Sequence, residues 1–298
     1  MIRLRGIVFV LSRVFLTYFF AFAAISIANA AQTDLVGPAG SGLFGGSVTV
    51  LPNGNIVVVD TGYDLSGPTV SNVGAVHLYD GTTLALISTL TGGTASDIVG
   101  SGGITVLTNG NYVVSSSSWG STDFGAVTWC SATTGCSGVV SSSNSLVGST
   151  ANDVVGSGGV TALTNGNYVV SSINWDNPSP AIAGVGAVTW GNGTTGTVGL
   201  VSASNSLIGG TANDTVGAGV TALTNGNYVV SSINWDNPSP SIAGVGAVTW
   251  GNGAGGTVGL VSASNSLVGS TSNDTVGNNG VTALTSGNYV VNSTVWGS

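Results

Sequence analysis

Val160-Thr-Ala-Leu-Thr-Asn-Gly-Asn-Tyr-Val-Val-Ser-Ser172 decides how this chain is read. Two short β-type runs flank Asn165-Gly166. Asn-Gly is the strongest short-range hairpin signal, because a type I′ turn needs positive φ at both central residues. The stretch recurs as VTVLPNGNIVVV from Val48, ITVLTNGNYVVSS from Ile104, VTALTNGNYVVSS from Val220 and VTALTSGNYVVNS from Val281, at offsets of 56, 56, 60 and 61 residues. Every other feature keeps a fixed place relative to this hairpin.

Around it, each unit reads as four strands. VTALT is the first and NYVVSS the second. A connection follows, in two units NWDNPSPAIAG or NWDNPSPSIAG. The third strand is GAVTW, the fourth VGLVSASNSL, and GNGTTG or GNGAGG links them. The strands are short, β-branched and punctuated by glycine, with no helical periodicity. The expected class is all-β: a β-propeller-like array of about 4.5 four-stranded antiparallel repeats of 56–61 residues. Val169-Val170 places apolar side chains on both faces of the second strand, as stacked sheets require. The alternative is a β-solenoid, disfavoured because solenoid strands are parallel and are not joined by tight hairpins. The units Val160–Val201 and Val220–Val261 differ only at Ala181/Ser241, Thr194/Ala254 and Thr195/Gly255. Near-identical units imply stability that sums over units and their neighbours.

Residues 1–30 carry Arg3, Arg5 and Arg13, an apolar run from Val14 to Ala28, and Ala28-Asn29-Ala30 as a small-x-small cleavage site. They read as a secretory signal peptide, with an uncleaved anchor as the alternative. Residues 31–298 then form one repeat domain, and its last unit stops after two strands. Asp34-Leu-Val-Gly37 aligns with Ser206-Leu-Ile-Gly209 and is a candidate fourth strand for that last unit. Beyond residue 30 there is no Lys, Arg or Glu; eleven Asp and His77 remain. No Lys/Arg ion pair can form, so the fold rests on burial and hydrogen bonds. A basic footprint for nucleic acid or for an anionic bilayer is missing.

Cys130 and Cys136 flank a five-residue turn and are expected to form a local disulfide in an exported protein, with free thiols as the alternative. Asp97, Asp153, Asp214 and Asp274 recur before a Val-Gly. They read as turn residues that accept backbone N–H groups, rather than as a cation ring. Asp64, Asp176 and Asp236 lie in the connection after strand two, where a weak calcium site is an option; otherwise no cofactor or metal is expected. Trp129, Trp190 and Trp250 form one ladder, and Trp119, Trp175, Trp235 and Trp296 another. Core packing is the plain reading. Sugar stacking is the sharper one, with Trp175, Asp176, Asn177, Trp235, Asp236 and Asn237 as candidate ligand-binding residues. His77 has no catalytic partner pattern around it, and no acid–base pair beyond Asp can be built.

With these residues in view, the unit resembles the FG-GAP repeat of integrin-type β-propellers. Phe44-Gly45-Gly46-Ser47-Val48 looks like that family's opening, and Gly74-Ala-Val-His-Leu-Tyr79 and Gly186-Ala-Val-Thr-Trp190 look like its Gly-Ala-Val-Tyr strand. The units also look like repeats of bacterial filamentous-haemagglutinin and adhesin-type surface proteins. One departure matters: the FG-GAP calcium loop, rich in Asp, is replaced by Thr-Asn-Gly-Asn. The resemblance implies an exported, non-catalytic scaffold for adhesion or binding, extracellular or associated with the outer membrane, with glycans or extracellular proteins as partners. A lectin-like carbohydrate-binding propeller and a structural spacer of a surface layer are the alternatives.

Overall fold

The structure, a computed structural model, describes residues 32–66 and 69–297. The segment read as a signal peptide lies outside them. The chain divides after Leu35, and all described strands lie in Val36–Ser298. Among the described residues there is no helix long and apolar enough to cross a membrane.

Five β-units follow one another. The first pairs Phe44–Val50, Ile56–Asp60, Ala75–Tyr79 and Leu86–Thr91, all antiparallel. The second pairs Gly103–Val106, Tyr112–Ser116, Ala126–Cys130 and Leu146–Val147. The third uses Gly159–Ala162, Tyr168–Ser172, Ala187–Gly191 and Ser206–Ile208. The fourth uses Gly219–Ala222, Tyr228–Ser232, Ala247–Gly251 and Ser266–Val268. The fifth holds only the hairpin Val281–Ala283 with Tyr289–Val291. Antiparallel pairing within each unit is not the pairing of solenoid rungs. Asp34–Gly37, the candidate fourth strand of the last unit, forms no strand.

The turn itself departs from the two-residue type. Only Gly166 has positive φ, at 91°, whereas Asn165 does not. Gly166 N–H donates to the Leu163 carbonyl (3.2 Å) and Leu163 N–H to Asn167 (2.8 Å). This is a type I turn followed by a left-handed glycine, the three-residue hairpin geometry. Its register leaves the Asn165 side chain pointing outward to a neighbour rather than buried in the turn.

Tyr168–Ser172 and Tyr228–Ser232 are buried along their whole length, because each sheet is covered on both faces. Four apolar clusters fill the gaps between consecutive sheets. The clusters join neighbours only, so the described sheets form an open stack.

The segment expected as one fourth strand is two elements. In the third unit Gly199–Leu200 leaves its own sheet and pairs parallel with Leu146–Val147 of the second. Gly138–Val139 crosses in the same way to Leu90–Thr91, and Gly259–Leu260 to Leu207–Ile208. Gly199 bends out with φ of 101°, a region that costs glycine little. Asn205 then reverses the chain: its amide donates to the Leu200 carbonyl (2.8 Å) and its oxygen accepts Ser202 N–H (2.9 Å). The returning strand is locked to the third strand by Thr189 and Ser206 hydroxyls 2.7 Å apart. Three of the sheets are therefore five-stranded, with the fifth strand lent by the following unit. Val140, Val201 and Val261, next in chain after each lent strand, are buried in the cluster between lender and borrower.

Candidate functional site

The connection after strand two was the sequence candidate, and the structure corrects its central element. Trp175 and Trp235 are 0% and 1% exposed and belong to the clusters between sheets. A fully packed indole offers no face to a sugar ring, so the stacking role falls for both. The gradient along the ladder supports packing: Trp296, on the fifth unit, is half exposed. These indoles are buried because the connection starts with a turn, Trp175 N–H to the Ser172 carbonyl (3.2 Å), that folds the ring back under the sheet.

The polar candidates remain at the surface and organise the loop. Asp176 accepts Gly184 N–H at 2.6 Å, and Asp236 accepts Gly244 N–H at 2.6 Å. Asn177 accepts Ser179 N–H and Asn237 accepts Ser239 N–H. Asn177–Pro178 pairs with Ala181–Ile182 as a small ribbon, repeated as Asn237–Pro238 with Ser241–Ile242. A groove of about 380 Å³ beside the first ribbon is lined by Thr150, Asp176, Asn177, Pro178, Ala181 and Ile182.

Behind each ribbon sits one of the recurring Asp residues. Asp153 accepts Ser149 N–H (2.8 Å), Thr150 N–H (2.7 Å) and Asp176 N–H (3.0 Å). Asp214 repeats this with Gly210, Thr211 and Asp236. The turn role read from sequence is therefore what the geometry gives, and the carboxylates are spent on backbone donors. Among the described residues no group of acidic, His or Cys side chains could hold a metal. Burial pushes the Asp153 and Asp214 carboxyls up, with Asp176 and Asp236 adding charge repulsion. Asp274 goes the other way: the Thr271 hydroxyl, then Gly297, Thr271 and Ser270 N–H groups, hold it below the usual carboxylate range. Directly after Asp97, Asp153, Asp214 and Asp274, the β-branched Ile98, Val154, Thr215 and Thr275 hold φ of 43°, 44°, 46° and 42°. Such residues rarely adopt that region, so the Asp-anchored turn is a repeated point of strain.

The structure also assembles a contact that the sequence reading missed. The Gly193 carbonyl accepts three donors from the preceding unit: Asn109 (2.7 Å), Asn111 (2.9 Å) and the Trp129 indole N–H (2.9 Å). Gly253 accepts Asn165 (2.8 Å), Asn167 (2.9 Å) and Trp190 (2.9 Å) in the same way. Asn53 and Asn55 hold Ala132 at 2.8 Å each, with Leu78 in register where the later units place Trp. The Asn-Gly-Asn turn of one unit thus clamps the Gly-rich turn of the next. The signal was present in sequence as Asn-Gly-Asn, GAVTW and GNG at constant spacing, but nothing local says they meet across units.

Two smaller readings resolve here. Cys130 and Cys136 form a disulfide, with Cα atoms 4.8 Å apart. His77 is buried and bonded to the Thr89 hydroxyl (2.9 Å) within a group of rings that includes Phe44, Tyr63 and Tyr79. Burial lowers its pKa, opposed by the charge of Asp60.

No curated protein matches the chain significantly. Residues 106–157, 162–218, 222–278 and 283–298 match DUF5650, a repeat of unknown function. The matched stretches share the phase of the clamped hairpins, and the first unit, which lends no strand, lies outside them. With more than half of its length so matched, the chain belongs to the DUF5650 repeat family.

Proposed function

We propose that this protein is an exported, non-catalytic repeat scaffold for adhesion or binding at the cell surface or outside the cell. The observation that carries the reading is the repeated ribbon: Asn177–Ile182 and Asn237–Ile242 present near-identical polar edges from consecutive sheets. Identical weak contacts on one rigid frame gain avidity when a target offers several copies of its epitope. The clamp and the lent strands supply that rigidity. In the same reading the stacked units are blades of a propeller-like array related to the FG-GAP and adhesin-type repeats. The face-to-face packing of sheets whose four in-unit strands pair antiparallel supports this. The test is binding of the purified protein to immobilised extracellular matrix proteins and whole cells. Adhesion should fall at least tenfold when both ribbons are replaced by Gly-Ser linkers of equal length. Unchanged adhesion by that variant, or no adhesion of the parent protein, overturns the reading. N-terminal sequencing of exported protein should begin at Ala31.

The groove beside Asp176 and Asn177 favours a second reading, a carbohydrate site built on polar groups without an aromatic platform. A glycan array separates the two: retained sugar, lost on Asp176→Ala, supports the lectin. A third reading, a structural spacer, requires extended or polymeric particles in small-angle scattering.

A further inference from the structure

We propose that the cleft at Trp129, between the second and third units, is a binding site for one ring of a neutral saccharide. The cleft lies between the disulfide-closed turn that ends in Cys136-Ser137 and the third unit's Thr195-Gly196, with Trp129 and Asn144 in its wall. Val198 adds apolar surface from the third unit's side. Its volume is about 290 Å³. Small-molecule pockets start near about 300 Å³, so the space suits a single sugar ring. The cleft shares no residue with the groove beside Asp176, and the proposal stands apart from that site.

Trp129 differs from the two tryptophans packed in the core. It is only half-buried, and its indole N–H is committed to the Gly193 carbonyl at 2.9 Å. That bond fixes the ring plane before any ligand arrives, which lowers the entropy cost of binding. The third unit's turn passes the ring on bare backbone: a Cβ at Gly196 would come within 2.9 Å of the Trp129 Cβ and 3.4 Å of its Cγ. The polar rim is held as firmly. The Asn144 amide donates to the Val139 carbonyl (2.9 Å), and its oxygen accepts Ser141 N–H (2.9 Å). The Ser137 and Thr195 hydroxyls lie at the surface, and that of Thr195 makes one long bond, 3.4 Å, to the Gly196 carbonyl. A pyranose matches this set, since its C–H face packs on an aromatic ring while its hydroxyls reach the rim. No Asp or His lines the cleft, and the chain has no Lys or Arg beyond residue 30. A charged ligand would lose water there and gain no counter-charge. Ser137 sets this cleft apart from its repeat. Val198 and Val258 hold the same position in the next two units, each about half exposed. Beside Trp190, which meets Gly256 as Trp129 meets Gly196, a branched apolar side chain therefore replaces the serine.

The probes are the methyl glycosides of glucose, galactose and mannose, each titrated into the full chain while the Trp129 indole N–H resonance is followed by NMR. At least one should bind saturably at one site per chain, with a dissociation constant on the order of 1 mM for a ligand of this size, and should shift the Trp129 signal. Ser137→Val and Thr195→Gly install residues that sibling units carry at these positions, Val198 and Gly255, and should leave the circular dichroism spectrum unchanged. The first fills the cleft and should weaken binding about tenfold or more. The second removes one hydroxyl and should weaken it about fivefold. Asp176→Ala should leave binding as it is. No saturable binding of any of the three glycosides, a Trp129 signal that does not move, or affinity indifferent to Ser137→Val overturns the proposal. Binding lost on Asp176→Ala and kept on Ser137→Val assigns the sugar to the ribbon groove and overturns it as well.

Discussion

The third and fourth units carry nearly the same sequence and meet different fates. From Val160 to Val201 and from Val220 to Val261 they differ at three positions, and the tryptophans, clamps and returning strands correspond one for one. Yet Leu207 is buried and Leu267 is nearly half exposed, and the Trp190 indole is bonded where that of Trp250 has no hydrogen-bond partner among the described residues. Neither difference originates in the unit itself. Each arises because the fourth unit lends the third a strand and a carbonyl, whereas the described residues after the fourth unit form a hairpin that lends it no strand. In a repeat stack the environment of a residue is fixed by its neighbour as much as by its own strand.

The sharpest break of this comparison is a charge at the two leucines. Leu207→Asp places an unpaired carboxylate in a sealed gap and should cost about 5 kcal/mol or more by urea denaturation. Leu267→Asp should cost about 1 kcal/mol or less. Equal costs would mean that the fourth sheet is covered in solution. The tryptophans of the connecting loops supply the converse control. Trp175 and Trp235 are both buried in gaps walled by two sheets, so Trp175→Ala and Trp235→Ala should each cost about 3–5 kcal/mol. A smaller loss at Trp235 would show the fourth unit loosened throughout, beyond its edge.

A finer cut keeps the ring and removes the donor group. Trp190→Phe deletes one of three donors to the Gly253 carbonyl and should cost about 1 kcal/mol, whereas Trp250→Phe should cost almost nothing. The smallest effect is electrostatic. Asp153 and Asp214 titrate above the ordinary value of 3.8 because they are buried, while Asp274, at the end of the fourth unit, titrates below it. The first two take up their proton earlier in the folded than in the unfolded chain. Their contribution to stability therefore rises as pH falls from neutral toward 3.8. The Asp274 contribution is present above 3.8 and is lost as pH falls below it. A carbon-detected titration of the carboxyl groups should place Asp274 below the other two. The reverse order would remove the electrostatic part of the contrast.

Several levels of this protein were written in its residues alone. The hairpin spacing set the number and phase of the units, and short β-branched runs set the class. Spacing across a five-residue turn was enough to pair Cys130 with Cys136, and the Asp before each Val-Gly was enough to mark an anchored turn. These are short-range properties, decided by backbone preference and by groups a few residues apart. The tertiary structure decided what depends on contacts between units, such as strand pairings 48 to 53 residues apart in sequence (Leu90 with Gly138, Leu146 with Gly199). It turned one expected strand, Val198–Leu207, into a lent strand and a returning one, because the better partner for Gly199–Leu200 is an edge in the preceding sheet. It also decided between the two readings of Trp175, core packing and sugar platform, in favour of the core. A polar, proline-rich neighbourhood reports where the loop goes and says nothing about which way the indole turns. Burial of that ring is set by the gap between two sheets, and no single unit contains both walls.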